Sequence, residues 1–240
     1  MIVEICANSL QSAINAEKAG ADRLELCSEL GVGGITPSYG LLKSIKRVIT
    51  IPVHVLIRPR SGDFTYSEYD FEIMKEDIQK CAEMGFEGIV SGVLLEDLTL
   101  DQQRTEELVA LSEEMTFTFH RAFDWVKDPR LTFRQLQDMG VDYVLSSGQQ
   151  NTAIEGLQIL KELLQLAKSC KPMPGGGINA TNAQTFLESN FDAIHLSGTQ
   201  FHRTLSAVPK VSMNSAAFLK EDQLAISSIE RVEKVIKIVK

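Results

Sequence analysis

The sequence predicts an α/β protein of one domain, in which eight strands alternate with helices and close into a parallel barrel. Three observations carry this prediction: eight short β-rich runs, helical patterns between them, and a repeated turn. The starts of successive runs lie 21 to 35 residues apart, which leaves room for a turn, a helix and a return. Eight such units in 240 residues match a (β/α)8, or TIM, barrel.

The elements follow one another in a regular order. Helix signals lie between the strand runs: Ser9 is a predicted N-cap, residues 71–82 place apolar side chains at helical spacing, and Asp128 is a cap followed by Pro129 in the first turn. The predicted strands occupy residues 2–6, 23–27, 53–57, 88–93, 116–120, 142–146, 172–175 and 193–197.

A weak internal repeat precedes every second strand, at residues 19–26, 84–92, 139–148 and 189–198. Each copy joins a helix-ending Gly or Asn to an acidic residue and a strand, which favours a parallel sheet with right-handed crossovers. The alternative is an open doubly wound sheet, but that fold carries a glycine fingerprint after its first strand, where this chain has ANSLQSA.

The C-terminal part of the chain is expected to complete this single domain, which spans residues 1–240. Strands occupy about residues 2–197, and residues 198–240 are predicted to close the barrel. An amphipathic stretch near 222–239 is expected to form the final helix.

Charge and cysteine content narrow the function classes. Thirty-two acidic residues against twenty-four basic ones give a net charge of −8, which disfavours nucleic acid and anionic membrane surfaces as partners. The sequence contains no apolar run long enough to predict a membrane span, and no recognisable secretion signal. Four irregularly spaced cysteines have neither the density of a disulfide scaffold nor the spacing of a zinc site. We therefore expect a cytoplasmic protein.

The alternation of side chains along each strand predicts which residues point into the barrel. A cluster of ionisable groups inside a barrel is costly unless the groups pair, so it indicates a functional site. The alternative is a structural salt-bridge network that joins Glu4 and Glu25 to Arg58. The inward set consists of Glu4, Cys6, Glu25, Cys27, Arg58, His120 and His195.

Several of these residues lie in longer motifs, namely LELCSELGVGGITPSYGLL (24–42), LIRPRSGDFTYSEYDFEIM (56–74), TFTFHRAFD (116–124), LSSGQ (145–149), PGGGIN (174–179) and HLSG (195–198). Over about residues 1–215 the chain strongly resembles the CutC family, named for copper homeostasis. Ser61, Ser146 and Gln149 depart from the family's usual residues. The resemblance implies a cytoplasmic TIM barrel without an assigned reaction, described as copper-binding and forming a homo-oligomer, a dimer or a tetramer.

Within that resemblance, Cys6 and Cys27 match the cysteine pair to which copper(I) is attributed. Copper(I) prefers soft ligands, and thiolates are the softest that proteins offer. The two cysteines end adjacent predicted strands, so their sulfurs could bridge one ion in a near-linear arrangement. The alternative is that two small side chains fill the barrel mouth. Cys81, on a predicted helix face, and Cys170, in a loop, are expected to be structural.

A second interpretation is an enzyme, a lyase, isomerase or hydrolase, acting on a small anionic or phosphorylated metabolite. Barrel enzymes commonly hold phosphate at the turns after strands 7 and 8, although a tight strand-to-helix turn would explain the same glycines. No organic cofactor is indicated. The predicted anion site consists of Arg58, Arg60, Gly175, Gly176, Gly177, His195, Ser197 and Gly198. The predicted acid and base residues are Glu4, Glu25, His120 and Asp124, although Asp124 could instead pair with Arg121.

Overall fold

Eight parallel strands form the wall of a barrel in the computed structural model, which describes residues 1–211 and 223–240. Neighbouring strands follow the order β7-β6-β5-β4-β3-β2-β1-β8, and a bridge between Gly175 and His195 joins β7 to β8. The predicted TIM barrel is confirmed. The strands are β1 (Ile2–Ala7), β2 (Arg23–Leu26), β3 (Val53–Leu56), β4 (Gly88–Ser91), β5 (Thr116–Phe119), β6 (Tyr143–Ser146), β7 (Lys171–Pro174) and β8 (Ala193–Leu196).

Helices cover the outside of the barrel, and their ends follow the predicted caps. Ser9 accepts a hydrogen bond from the Ser12 N–H, and Asp128 accepts from the Leu131 N–H with Pro129 in the first turn. Among the described residues, no helix combines the length and apolar character that crossing a membrane requires. The helices are α1 (Leu10–Lys18), α2 (Tyr39–Val48), α3 (Glu68–Glu83), α4 (Gln102–Ser112), α5 (Pro129–Asp138), α6 (Leu157–Leu166), α7 (Ala183–Glu188) and α8 (Ile229–Val239).

The main hydrophobic core lies between the strands and the helices. Outward strand residues such as Ile5 and Leu24 are fully buried there, as are Met74 and Ile78 of α3. The inside of the barrel is different, because the described residues there are polar side chains and two small apolar clusters. The packed outer core therefore supports the fold, and the polar groups inside are left to form a site.

The C-terminal segment differs in part from the prediction. Residues 223–227 lie in a stretch expected to be helical, but they form strand β10 (Gln223–Ser227), which pairs antiparallel with β9 (Thr199–Arg203). Pairing with β9 satisfies the backbone of β10, so helical periodicity in the sequence is overridden there. The final helix, α8, then packs against α1 and α7. Residues 212–222 of the predicted closing segment lie outside the described residues.

Candidate functional site

A cavity of about 250 Å³ opens at the carboxyl ends of the strands. Glu4 lies beneath it, fully buried, and contacts His195 in its wall. The sequence predicts that Glu4, Glu25, Arg58, His120 and His195 share one cavity. The structure brings Glu25, Arg58, His120 and His195 together in its lining, whereas Glu4 lies beneath it. The ionisable side chains that line the cavity are Cys6, Glu25, Arg58, His120, Arg121 and His195.

Glu4 is the centre of a buried charge network that strand register creates. In the barrel wall Glu4 has Arg23 of β2 as its partner on one side and His195 of β8 on the other. Arg23 Nε donates to Glu4 Oε2 at 2.5 Å, and His195 Nδ1 lies 2.8 Å from Glu4 Oε1. Burial alone would raise the pKa of Glu4, but the charge of Arg23 and the bond to His195 lower it to about 2. Glu4 is therefore an anion at neutral pH.

His195 lies between two carboxyl groups. Its Nδ1 is 4.0 Å from Glu25 Oε2 as well as 2.8 Å from Glu4. Burial would lower the pKa of His195, but Glu25 and Glu4 together raise it. Burial raises the pKa of Glu25, whose Oε2 accepts no hydrogen bond from any described residue. The cavity thus presents a stabilised imidazolium beside a carboxyl group that gains a proton easily.

Two cysteine sulfurs lie beside this carboxyl group. Cys6 Sγ is 3.6 Å from Cys27 Sγ and 3.4 Å from Glu25 Oε1. Hydrogen bonding to Cys27 and burial raise the pKa of the Cys6 thiol well above its usual range. The ligand atoms of Cys6, Glu25 and His195 all lie within 4.8 Å of one another. Soft and hard donors therefore converge on one point in the barrel mouth.

The two sulfurs lie 3.6 Å apart, close enough for a thiol–thiol hydrogen bond. A near-linear bridge formed by two metal–thiolate bonds would need a wider separation. The predicted near-linear arrangement would therefore require the sulfurs to move apart, and it stays a prediction. Cys27 is completely buried and packs against Leu56 and Val90, whereas Cys6 lines the cavity. An ion would therefore approach from the side of Cys6.

Arg58 and His120 also line the cavity. The Arg58 guanidinium donates to the carbonyl oxygens of Val32, Gly34 and Gly62, and forms no ion pair with a described carboxylate. The alternative salt-bridge network joining Arg58 to Glu4 and Glu25 is therefore wrong. Arg23, not Arg58, forms the ion pair with Glu4.

The ring of His120 is a neutral hydrogen-bond donor in the lining of this cavity. Its Nδ1 accepts from the Ala122 N–H, so the proton of the neutral ring is on Nε2, which has no partner among the described residues. Burial and the charge of Arg58 lower the pKa of His120 to about 3.

Comparison with known proteins identifies the family. The family model described as CutC family matches residues 1–200. The chain belongs to the CutC family. A CutC family protein of Erwinia tasmaniensis is 40% identical over 95% of this chain and 91% of its own. The human copper homeostasis protein cutC homolog is 39% identical over 100% of this chain and 89% of its own. The crystal structure of the putative copper homeostasis protein CutC from Streptococcus agalactiae superimposes with a TM-score of 0.78 at 32% identity, covering 82% of this chain and 98% of that one.

Asp124 and Arg60 are predicted site residues of this CutC chain that lie in loops outside the cavity lining. Asp124 accepts hydrogen bonds from Ser146 Oγ at 2.6 Å and from Arg121 Nε at 2.7 Å, so it organises the turn after β6. Arg60 is partly exposed and pairs with Asp63 and with Asp70. Both residues shape loops around the mouth of the barrel rather than its cavity.

The predicted glycine turns divide between two places. Gly175 forms the bridge that closes the barrel. Gly176, Gly177 and Ser197 line the cavity, and Gly198 lines an adjoining one. The turns after β7 and β8 therefore face ligand-sized space, although Gly175 itself has a structural position.

Two buried members of the CutC network are missing from the predicted set. Arg23 holds Glu4, and His54 Nδ1 lies 3.8 Å from Glu4 Oε2. Burial lowers the pKa of His54 to about 4. The alternation of side chains along a strand could have predicted that both point inward. Arg23 is two residues before the inward Glu25, and His54 lies between two outward valines.

Proposed function

We propose that this CutC-family protein binds copper(I) through the thiolates of Cys6 and Cys27 and acts in copper homeostasis. The observation that carries the proposal is the 3.6 Å separation of the two sulfurs at the wall of an open cavity. Thiolates favour copper(I) over the harder divalent ions. Glu25 and His195 lie close enough to supply a third ligand.

The charges around the sulfur pair support a monovalent ion. Two thiolates with one copper(I) carry a net charge of −1, which a proton on His195 would balance, since Glu25 and Glu4 raise the pKa of its ring. Glu25 then remains to supply the third ligand. At neutral pH the raised pKa of Cys6 keeps its thiol protonated. Metal binding must therefore displace protons, and affinity rises with pH.

The test is an anaerobic titration with copper(I) against a colorimetric chelator, under reducing conditions. The wild type is expected to bind one equivalent per chain. Cys6→Ser and Cys27→Ser each lower the affinity at least a hundredfold, because serine is nearly isosteric but a hard ligand. Cys81→Ser and Cys170→Ser are matched controls, since both thiols are also free and buried. Unchanged binding in the Cys6→Ser/Cys27→Ser double variant contradicts the proposal.

A second candidate is acid and base catalysis on a small anionic metabolite by a lyase, isomerase or hydrolase. It is favoured by Glu25 Oε2 and His120 Nε2, which have no partner among the described residues and belong to the lining of one cavity. Burial raises the pKa of Glu25, whereas burial and the charge of Arg58 lower the pKa of His120. Such different environments let two neighbouring groups take different acid and base roles. An untargeted metabolite screen tests it: the wild type and Cys27→Ser consume a substrate that Glu25→Gln leaves intact. If no compound distinguishes wild type from Glu25→Gln, this candidate fails.

We further propose a cytoplasmic location and a homo-oligomer, a dimer or a tetramer. The four free, buried cysteines suit a reducing compartment. Phe201 on β9 is 66% exposed, and Val208 and Val211 are more exposed still, an apolar set that suits contact between copies. Light scattering is expected to give two or four chain masses, and a mass equal to one chain contradicts the oligomer.

A further inference from the structure

A second cavity, of about 360 Å³, adjoins the first outside the ends of β7 and β8. Residues 177–180, residues 196–199 and the first turns of α8 form its wall. It shares residues 177, 178, 196 and 197 with the first cavity. The two spaces are therefore neighbours, but the second contains none of the proposed copper ligands.

The lining of the second cavity is positive, although the chain has a net charge of −8. Arg231 and Lys234 of α8 line it, and no described Asp or Glu does. Arg231 Nη1 donates to the carbonyl oxygen of Thr199 at 2.8 Å, which holds the guanidinium at the wall. Lys234 also reaches Glu230 at 2.7 Å, but both of these groups are exposed, so the pair is weak and can open for a ligand.

Backbone donors in the same wall have no partners. Among the described residues, the N–H groups of Gly177, Ile178, Ser197 and Gly198 donate to no backbone or side-chain oxygen. Gly198 has φ of 55°, and a Cβ there would lie 2.8 Å from a Val232 methyl. Glycine therefore permits α8 to approach this turn closely. Unpaired N–H groups beside two cations are the donor set that a phosphate group needs.

We propose that the second cavity binds a phosphate group, either as inorganic phosphate or as part of a small phosphorylated metabolite. In the second case the rest of the molecule extends past the shared residues into the first cavity, toward the candidate acid and base groups Glu25 and His120. The phosphate site itself rests on neither the copper proposal nor catalysis, because its donors are separate residues.

The test is a titration of the full chain, by calorimetry and phosphorus NMR, with inorganic phosphate and with glycerol 3-phosphate at constant ionic strength in chloride. Saturable binding is expected for the wild type. Arg231→Gln and Lys234→Gln each weaken binding at least fivefold, whereas Lys237→Gln, on the same helix but outside the cavity, leaves it within twofold. Two substitutions of Ala180, which lines the cavity, test the need for positive charge without removing a hydrogen-bond donor. Ala180→Glu adds a negative charge and abolishes binding, whereas Ala180→Gln does not.

The outcomes separate the ligand sources and the two proposals. Tighter binding of glycerol 3-phosphate supports a phosphorylated metabolite, and equal affinity supports the free ion. Absence of saturation in the wild type, or equal losses in Lys237→Gln and Arg231→Gln, overturns the phosphate site. Copper(I) affinity is measured in the same Arg231→Gln sample and is expected to be unchanged, so failure of one site is distinguishable from failure of the other.

Discussion

Replacing Arg23 by methionine tests the charge network under the cavity. The substitution removes the guanidinium that holds Glu4 but keeps a long apolar side chain in its place. Breaking a buried ion pair leaves one charge uncompensated, which costs about 3–5 kcal/mol. The lowering of the Glu4 pKa from 4.5 to about 2 corresponds to about 3 kcal/mol at neutral pH. That shift is the net effect of burial, Arg23, His195 and His54, so it sets the scale of the loss rather than the share of Arg23.

The pH dependence of this loss has a definite sign. Because the pKa of Glu4 is lower in the folded state, its contribution to stability is present above about pH 4.5 and is lost as the pH falls toward about 2. Without Arg23 the pKa of Glu4 rises. The difference in unfolding free energy between wild type and Arg23→Met is therefore largest at neutral pH and narrows in acid.

Urea unfolding followed by circular dichroism at pH 7 and pH 4 measures both effects. Arg23→Met is expected to lose about 3–5 kcal/mol at pH 7, and the Glu4→Gln/Arg23→Met double variant to lose less than the single one. Arg130→Met, which breaks an exposed pair with Glu162, serves as the control and costs below about 1 kcal/mol. A cost for Arg23→Met as small as the control's, or one that grows in acid, refutes the reasoning.

Three further predictions concern the same barrel interior. Copper(I) affinity rises between pH 6 and pH 8 in chelator competition, because the Cys6 thiol must ionise; a flat profile contradicts this. Histidine NMR titration finds His54 and His120 neutral above pH 5, since their pKa values are about 4 and about 3, while His195 stays protonated above its usual range; a normal titration of His120 contradicts the geometry. Gly88→Ala places a Cβ about 2.5 Å from the His54 ring and costs about 1–3 kcal/mol in thermal or urea unfolding; an unchanged stability shows that the ring can move aside.

Most of the barrel could be predicted from the sequence, because spacing and alternation are local signals. Eight β-rich runs at intervals of a turn and a helix leave few other folds. Alternation along β1 and β2 also places Glu4, Cys6 and Glu25 inside. Strand β10 could not be predicted in this way. Its partner β9 is distant in the sequence, and the residues between the two strands contain no hairpin turn signal.

The detailed pairing within the site was beyond local patterns. Glu4 pairs with Arg23 rather than with Arg58, because the register of β1 and β2 places Arg23 beside Glu4 on the neighbouring strand. Arg58 instead finds three carbonyl oxygens in loops at residues 32, 34 and 62, and no sequence spacing predicts how those loops fold. The 3.6 Å separation of the two sulfurs likewise depends on side-chain positions that strand spacing alone leaves open.

X-ray absorption at the copper edge, on protein loaded anaerobically with one equivalent of copper(I), tests the central claim most directly. Two sulfur neighbours with one nitrogen or oxygen neighbour are expected for the wild type. Cys27→Ser is expected to lose one sulfur, and Cys170→Ser to keep both. A first shell of nitrogen and oxygen alone in the wild type, or the same sulfur count in Cys27→Ser, would contradict copper binding at the Cys6 and Cys27 pair.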